Sequence, residues 1–334
     1  MTATTATWRR IASSEILRRS SHVISATSDS VFVFGGELLP RQPRDNHVHI
    51  VKLNEQNALS SIPSSESNSP TPRVGTASAW LDGKIYIFSG RGGEAMSPVE
   101  ENGALWAFDS AVSAWSVLSP SSDSAPHPPA RSYHSLASNG VDQIYLHAGC
   151  PETGRLSDLW SFDVNARVWT QLADAPAPPR GGTSVAFSDG LLYRMNGFDG
   201  KTEQGGSLDV YEPTTNNWST KTFAPDGTTG PTPRSVCALL PLKLGGNATL
   251  VTLFGEHDPS SLGHQGAGKM LGDVWAYDVQ TAAWSEVAVT NSESDRPLPR
   301  GWFAADVVGG DKIVVQGGLG ETNERLDDLW ILSF

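Results

Sequence analysis

The densest gathering of chemically able side chains lies between Gly255 and Gly272, where Glu256, His257, Asp258 and His264 fall close together. Carboxylate and imidazole with open positions form the donor set of a non-haem Fe(II) site, and zinc or manganese accepts similar sets. On this reading the metal ligands are Glu256, Asp258 and His264. Spacing alone gives equal weight to another reading, in which Glu256 and Asp258 cap turns and His264 packs or hydrogen-bonds. His47 and His49 are two residues apart, so a strand puts both on one face, where packing or solvation explains them better than chelation. His22 and His134 each follow an arginine by three positions, which makes them parts of a repeat first and ligands second. Cys150 and Cys237 are the only cysteines, so no disulfide framework is implied and a copper radical site fits badly.

These residues are placed by a repeat. Arg19, Arg73, Arg131, Arg180, Arg234 and Arg300 each precede a short apolar segment, at separations of 49 to 66 residues. In most copies a second strand ending in glycine comes next, then an aromatic strand closed by an acid. Arg131-Ser-Tyr-His-Ser-Leu, Gln143-Ile-Tyr-Leu-His-Ala-Gly149 and Asp158-Leu-Trp-Ser-Phe-Asp163 form the clearest copy. Four copies place a tryptophan six residues after the acid: Asp109 to Trp115, Asp163 to Trp169, Glu212 to Trp218 and Asp278 to Trp284. Alternating β-branched, aromatic and polar residues between Gly, Pro, Asn and Asp clusters predict strands, and a period of this length predicts four-stranded blades. The fold class is therefore all-β, a six-bladed propeller forming one domain over 1–334. Its blades span roughly 19–60, 73–118, 131–172, 180–222, 234–287 and 300–334. The last ends on a third strand, so Thr7-Trp-Arg-Arg-Ile11 is expected to complete it and close the ring, hiding an edge that would otherwise pair between molecules.

In antiparallel blades the start of strand one and the end of strand two lie at the same end, so the arginines and post-glycine loops share one rim. Loops on a rigid scaffold carry function, and that rim is the candidate site. The arginines themselves are expected to tie down loop carbonyls. Glu37, directly after Gly36, occupies the rim position that Arg91 holds in the next blade and is a candidate substrate-binding residue. The blade-five loop is longer than its equivalents, which is where the symmetry breaks. A net charge of −12 leaves no basic stripe for nucleic acid or an anionic membrane. The N-terminus has no apolar run fit for secretion or spanning, and a cytoplasmic protein is expected.

The glycine doublets Gly35-Gly36 and Gly317-Gly318, the aromatic third strand and the late tryptophan resemble the kelch repeat, with Ser89-Gly90 and Asn196-Gly197 as departures. Longer segments are similar to the plant specifier proteins, a family that includes nitrile-specifier, epithiospecifier and thiocyanate-forming members. They include Arg19-Ser-Ser-His22 with Phe34-Gly-Gly-Glu37, Ile85-Tyr-Ile-Phe-Ser-Gly-Arg91, Ala130-Arg-Ser-Tyr-His-Ser135, Pro299-Arg-Gly-Trp302 and Thr322-Asn-Glu-Arg325. The resemblance covers essentially the whole chain. It implies a lyase-type reaction on unstable glucosinolate aglycones, with Fe(II) on a Glu-x3-Asp-x3-His motif. Glu256 and His264 match that motif, and Ser260 stands at its aspartate. It further implies that Arg91 and Arg155 are catalytic and substrate-binding, holding the sulfate, for which a planar guanidinium fork is suited. A solvated loop charge is the plain alternative for Arg155.

The expected function is thus the steering of a small reactive intermediate in specialised metabolism. The alternatives are a kelch protein-interaction adaptor, and a related kelch enzyme acting on another small molecule without metal. The expected partner is a small-molecule substrate, with a protein partner left open, no nucleic acid and no membrane, in a monomer or homodimer.

Overall fold

The computed structural model describes residues 4–53, 58–65 and 68–334, the side chain of His264 excepted. Residues 54–57, inside the expected first blade, lie outside the described set. The described strands form eight sheets: six blades in the order the repeats predict, antiparallel apart from one parallel edge pairing in the sixth, and two small loop sheets, Arg73–Val74 with Arg91–Gly92 and Ser97–Pro98, and Glu256–His257 with Lys269–Met270. Blade one is Ser20–Ala26, Ser30–Leu39, Val48–Lys52 and Leu59–Ile62; blade two is Ala77–Leu81, Lys84–Phe88, Leu105–Asp109 and Ala114–Leu118. Blade three runs Ser135–Ser138, Gln143–Gly149, Leu156–Asp163 and Val168–Leu172, and blade four Ser184–Ser188, Leu191–Met195, Ser207–Glu212 and Asn217–Thr222. Blade five is Ala238–Leu244, Asn247–Leu253, Val274–Asp278 and Ala283–Glu286. The first strand of each blade touches that of the next, and blade six touches blade one, so the inner strands form a closed circle.

Blade six is Ala304–Val308, Lys312–Gln316 and Asp328–Ser333, completed by the N-terminal strand Thr5–Ser13. That strand is longer than the expected Thr7–Ile11 and pairs antiparallel with its neighbour, Trp8 opposite Leu332. A short parallel pairing with Ala288–Val289 adds a fifth strand. The register explains Trp8. The late tryptophans sit opposite the aromatic before each blade's acid, Trp115 against Phe108 and Trp169 against Phe162. Trp8 takes that place opposite Leu332. Each of these rings reaches the preceding blade: Trp115 meets Phe34 at 5.0 Å, Trp169 meets Phe88 at 5.7 Å, and Trp8 stacks on Phe254 at 5.7 Å. The tryptophan is thus a wedge between blades, and the first strand of the chain supplies the one for blade six.

The six arginines are buried, and each donates Nη1 to the carbonyl at the end of its own blade's second strand: Gly35, Ser89, Ala148, Asn196, Phe254 and Gly317. Those six residues have φ between +46° and +73°, and each is followed by a glycine at +86° to +108°. The second glycine is the demanding one. A Cβ on Gly255 would lie 2.7 Å from the Ser235 carbonyl oxygen, and one on Gly149 would lie 2.8 Å from that of Ser132. The first position tolerates Ser89 and Asn196 because its left-handed backbone is strained for them but not blocked.

Carboxylates complete the arginine sites. Glu101, Asp158, Asp273 and Asp328 each take a two-pronged bond from Arg73, Arg131, Arg234 and Arg300. Each also accepts an indole N–H from Trp106, Trp160, Trp275 or Trp330. In blade one His49 stands where the others have tryptophan, its Nε2 3.3 Å from Asp45, which also pairs with Arg19. Packing and repeat geometry therefore account for His49. Blade four differs: Ser207 replaces the acid, and a buried Arg194–Asp209 pair forms within the sheet at 2.7 Å.

Candidate functional site: a cavity on the arginine rim

Two residues beyond each arginine the chain enters the left-handed region, at Ser21, Gly75, Tyr133, Gly182, Val236 and Trp302 (φ +46° to +61°). The N–H of each donates to the carbonyl of the equivalent residue one blade back, over 2.7 to 3.1 Å, and Ser21 closes the circle on Trp302. Six main-chain hydrogen bonds thus belt the propeller axis. Gly75 and Gly182 are needed here as glycines, since a Cβ would meet the Tyr133 ring at 3.2 Å and the Val236 side chain at 2.9 Å.

On one side of the belt the inner strands line a central channel of about 400 Å³. On the arginine side lies a cavity of about 450 Å³ to which all six blades contribute, within the range of small-molecule sites. One position per blade defines its wall. The residue after each second-strand glycine pairs across to the residue after each arginine, which places Glu37, Arg91, Cys150, Phe198, Glu256 and Leu319 in equivalent positions. The first five line the cavity. Sixfold geometry therefore presents unlike chemistry: two acids, a cation, a thiol and an aromatic ring.

Arg91 is half-buried and engaged. Its Nε donates to Ser132 Oγ (2.9 Å), Nη1 to Met96 O (3.0 Å) and Nη2 to Pro151 O (2.7 Å). Among the described residues Arg155 is held only at Nε, by Phe198 O (2.9 Å), with its guanidinium 5.2 Å from the Phe198 ring centre. Its outer edge is thereby aimed without being used up. Glu37 is buried and accepts from Arg325 Nη2 at 2.8 Å. The Cys150 thiol is pushed up by burial, against the pull of Arg155 and Arg91. Burial also raises the Glu256 carboxyl to about 7, although the Gly268 N–H bonds its Oε1 at 2.9 Å.

Of the residues expected to hold metal, the structure describes the side chains of Glu256 and Asp258 and sets them apart. Glu256 and Ser260 line the cavity. Asp258 points outward, its side chain 76% exposed and 3.5 Å from His257. The side chain of His264 lies outside the described residues. Among those described, no group of three histidine, cysteine or acidic side chains forms a ligand cluster. Glu256 is thus the one expected metal-ligating side chain that the described residues place at the cavity, too few donors by itself to define a metal site, and the chemistry of the cavity is derived from its own side chains.

Several residues at or near the cavity escape sequence reasoning. Glu203, on the blade-four loop bridged to the wall residue Phe198 but not itself lining the cavity, is raised to about 8 by burial, with the Glu256 carboxylate adding to the effect. Tyr133, raised to about 12 by burial, and Trp302 form part of the wall. Their common offset from the arginines is the one sequence signal that marks them.

Fold and cavity together define a β-propeller with a ligand-sized chamber on its loop rim. The chain belongs to the kelch-repeat family: the KLHDC2/KLHL20/DRC7 Kelch-repeats domain matches residues 21–255. It is 26% identical, over 94% of its length, to N-(sulfonatooxy)prop-2-enimidothioate sulfolyase of Thlaspi arvense, of which it spans 92%. It is also 26% identical, over 90% of its length, to Kelch-like protein terF of Aspergillus terreus, spanning 61% of that protein. The Leucine-zipper-like transcriptional regulator 1 homolog of Drosophila melanogaster is 23% identical over 95% of the chain, which spans 31% of it. No described helix is long and apolar enough to cross a membrane.

Proposed function

We propose that the rim cavity binds a small, reactive, sulfate-bearing anion and directs its breakdown, as a specifier-like lyase would. The carrying observation is the charge balance of the wall. Arg41, Arg91 and Arg155 face Glu37, Glu152 and Glu256, but Glu37 is matched by Arg325 and Glu256 is part-protonated at neutral pH. A chain of net charge −12 thus gathers positive charge at one place on its rim, which favours an anionic ligand there. Likeness to a sulfolyase along nearly the full chain supports the same class.

Arg155 presents its free edge to the sulfate oxygens, and Arg91, fixed by three bonds, adds charge from the neighbouring blade. As the N–O bond breaks and its electron pair leaves with sulfate, these cations stabilise the growing negative charge; the C–S bonding pair becomes the third C–N bond, so the thiolate sulfur departs as neutral sulfur and a nitrile forms in place of the spontaneous isothiocyanate. The reaction asks little further of the protein. The test is product analysis with a glucosinolate and myrosinase: nitrile should rise above the protein-free control and fall at least about tenfold in Arg155→Ala. A product mixture equal to the control overturns the reading. Fe(II), implied by resemblance, is tested separately by anaerobic loading and a Glu256→Ala/His264→Ala double variant; unchanged nitrile yield removes the metal.

A protein-binding role has one observation in its favour, the exposed Leu39 and Leu262 on the rim loops of blades one and five. A pull-down without a stoichiometric partner counts against it.

A further inference from the structure

The blade-one rim hairpin carries a cation with a defined support. Strand Ser30–Leu39 turns through Pro40 and Arg41 into Gln42–Pro43, with Glu37 opposite Pro43 and Leu39 opposite Gln42. At the tip, Arg41 has φ +60°, and its main-chain N–H donates to Glu37 Oε2 at 2.7 Å. The second oxygen of Glu37 takes Arg325, which is buried and also bonds Ser20 Oγ and Asn323 O. The acid of blade one is therefore neutralised by Arg325 and serves as a latch. A charge-assisted bond to the carboxylate holds a turn that a non-glycine residue adopts under strain. Its consequence is placement: the exposed Arg41 side chain lines the same cavity as Arg91 and Arg155, but from a different blade.

We propose that Arg41, latched by the Arg325–Glu37 pair, is a specificity-determining residue that reads a second negative group on the ligand. The cavity then selects small anions charged at two separated ends over those charged at one. This rests on the anion-binding reading of the cavity. Arg41 touches neither Arg91 nor Arg155 among the described hydrogen bonds, so its removal leaves their arrangement in place.

Calorimetric titration with methanesulfonate and with 1,3-propanedisulfonate tests this on the full chain. Wild type should bind the disulfonate more tightly. Arg41→Ala should weaken the disulfonate about tenfold and methanesulfonate less than about twofold, and Arg41→Lys should recover part of the loss. Arg155→Ala should weaken both probes. Equal loss of both probes in Arg41→Ala, or no loss, overturns the assignment while leaving the anion cavity standing. If wild type binds neither probe, the anion-binding reading falls and takes this inference with it.

Discussion

Arg91 and Arg155 bring the same charge to the cavity but are built into the fold differently. Arg91 ties its own loop to two points on blade three, through Ser132 and Pro151. Arg155 makes one bond through Nε and rests on Phe198. Truncation should separate them. Arg91→Ala is expected to cost about 1–3 kcal/mol of stability, because it unmakes three part-buried hydrogen bonds. Arg155→Ala should cost less than about 1 kcal/mol yet remove anion binding. Chemical denaturation beside a sulfonate titration reads both; a stability loss at Arg155 as large as that at Arg91 would contradict the division of labour.

At the scale of the blade, the repeat couples an arginine, a strained turn and an acid into one unit. Asp158→Ala leaves Arg131 buried without its carboxylate and should destabilise by about 3–5 kcal/mol in urea melts. Gly255→Ala meets the Ser235 carbonyl and an unfavourable φ together, and should cost at least about 1–3 kcal/mol. Gly35 departs from the four blades that place Ser, Ala, Asn or Phe at its position, but a Cβ there would meet Arg73 O at 2.8 Å. It is not interchangeable with Ser89. The arginine period, the acid-to-tryptophan offset and the incomplete sixth blade were legible because they are local spacings that strand geometry repeats. The second-strand glycine was legible for the same reason. The features that stayed hidden depend on how blades face one another. Glu203 gains its environment from residues of blade five, and Glu37 is silenced by Arg325 from the far end of the chain. Asp258 looked equivalent to Glu256 in sequence, yet only Glu256 lines the cavity while Asp258 turns to solvent, a difference set by the course of the loop rather than by residue type.

The whole molecule combines buried groups that titrate in opposite senses. Burial lowers His22, His134 and His147, His134 to about 3, so these are neutral when folded but protonate near 6.5 when unfolded. Burial raises Glu203 to about 8 and Glu256 to about 7, so these keep protons in the folded chain that an unfolded chain releases near 4.5. Above pH 6.5 the carboxyls dominate, and stability falls as pH rises toward 8. Between 4.5 and 6.5 the two sets oppose each other. Below 4.5 the histidines act together with aspartates that their ion pairs hold low, such as Asp45 at about 2, and stability falls as pH drops, by up to about 1.4 kcal/mol per pH unit for each group. Denaturation midpoints across pH should show this plateau, and a steady rise from pH 5 to 8 would contradict it. Closure of the ring is a second property of the whole. The N-terminal strand buries Trp8 and Ile11, each worth about 1.5–3 kcal/mol, against a total stability of about 5–15 kcal/mol for a typical fold. Deleting residues 4–13 also bares the edge of Asp328–Ser333, whose free N–H and C=O groups invite pairing between molecules. The shortened chain should associate in a concentration-dependent way on size-exclusion chromatography, and a synthetic peptide of residues 4–14 should restore the elution volume of the full chain. A truncated chain that keeps the elution volume of the full chain with an unchanged melting temperature would show that the belt of main-chain bonds closes the propeller without the Trp8 wedge.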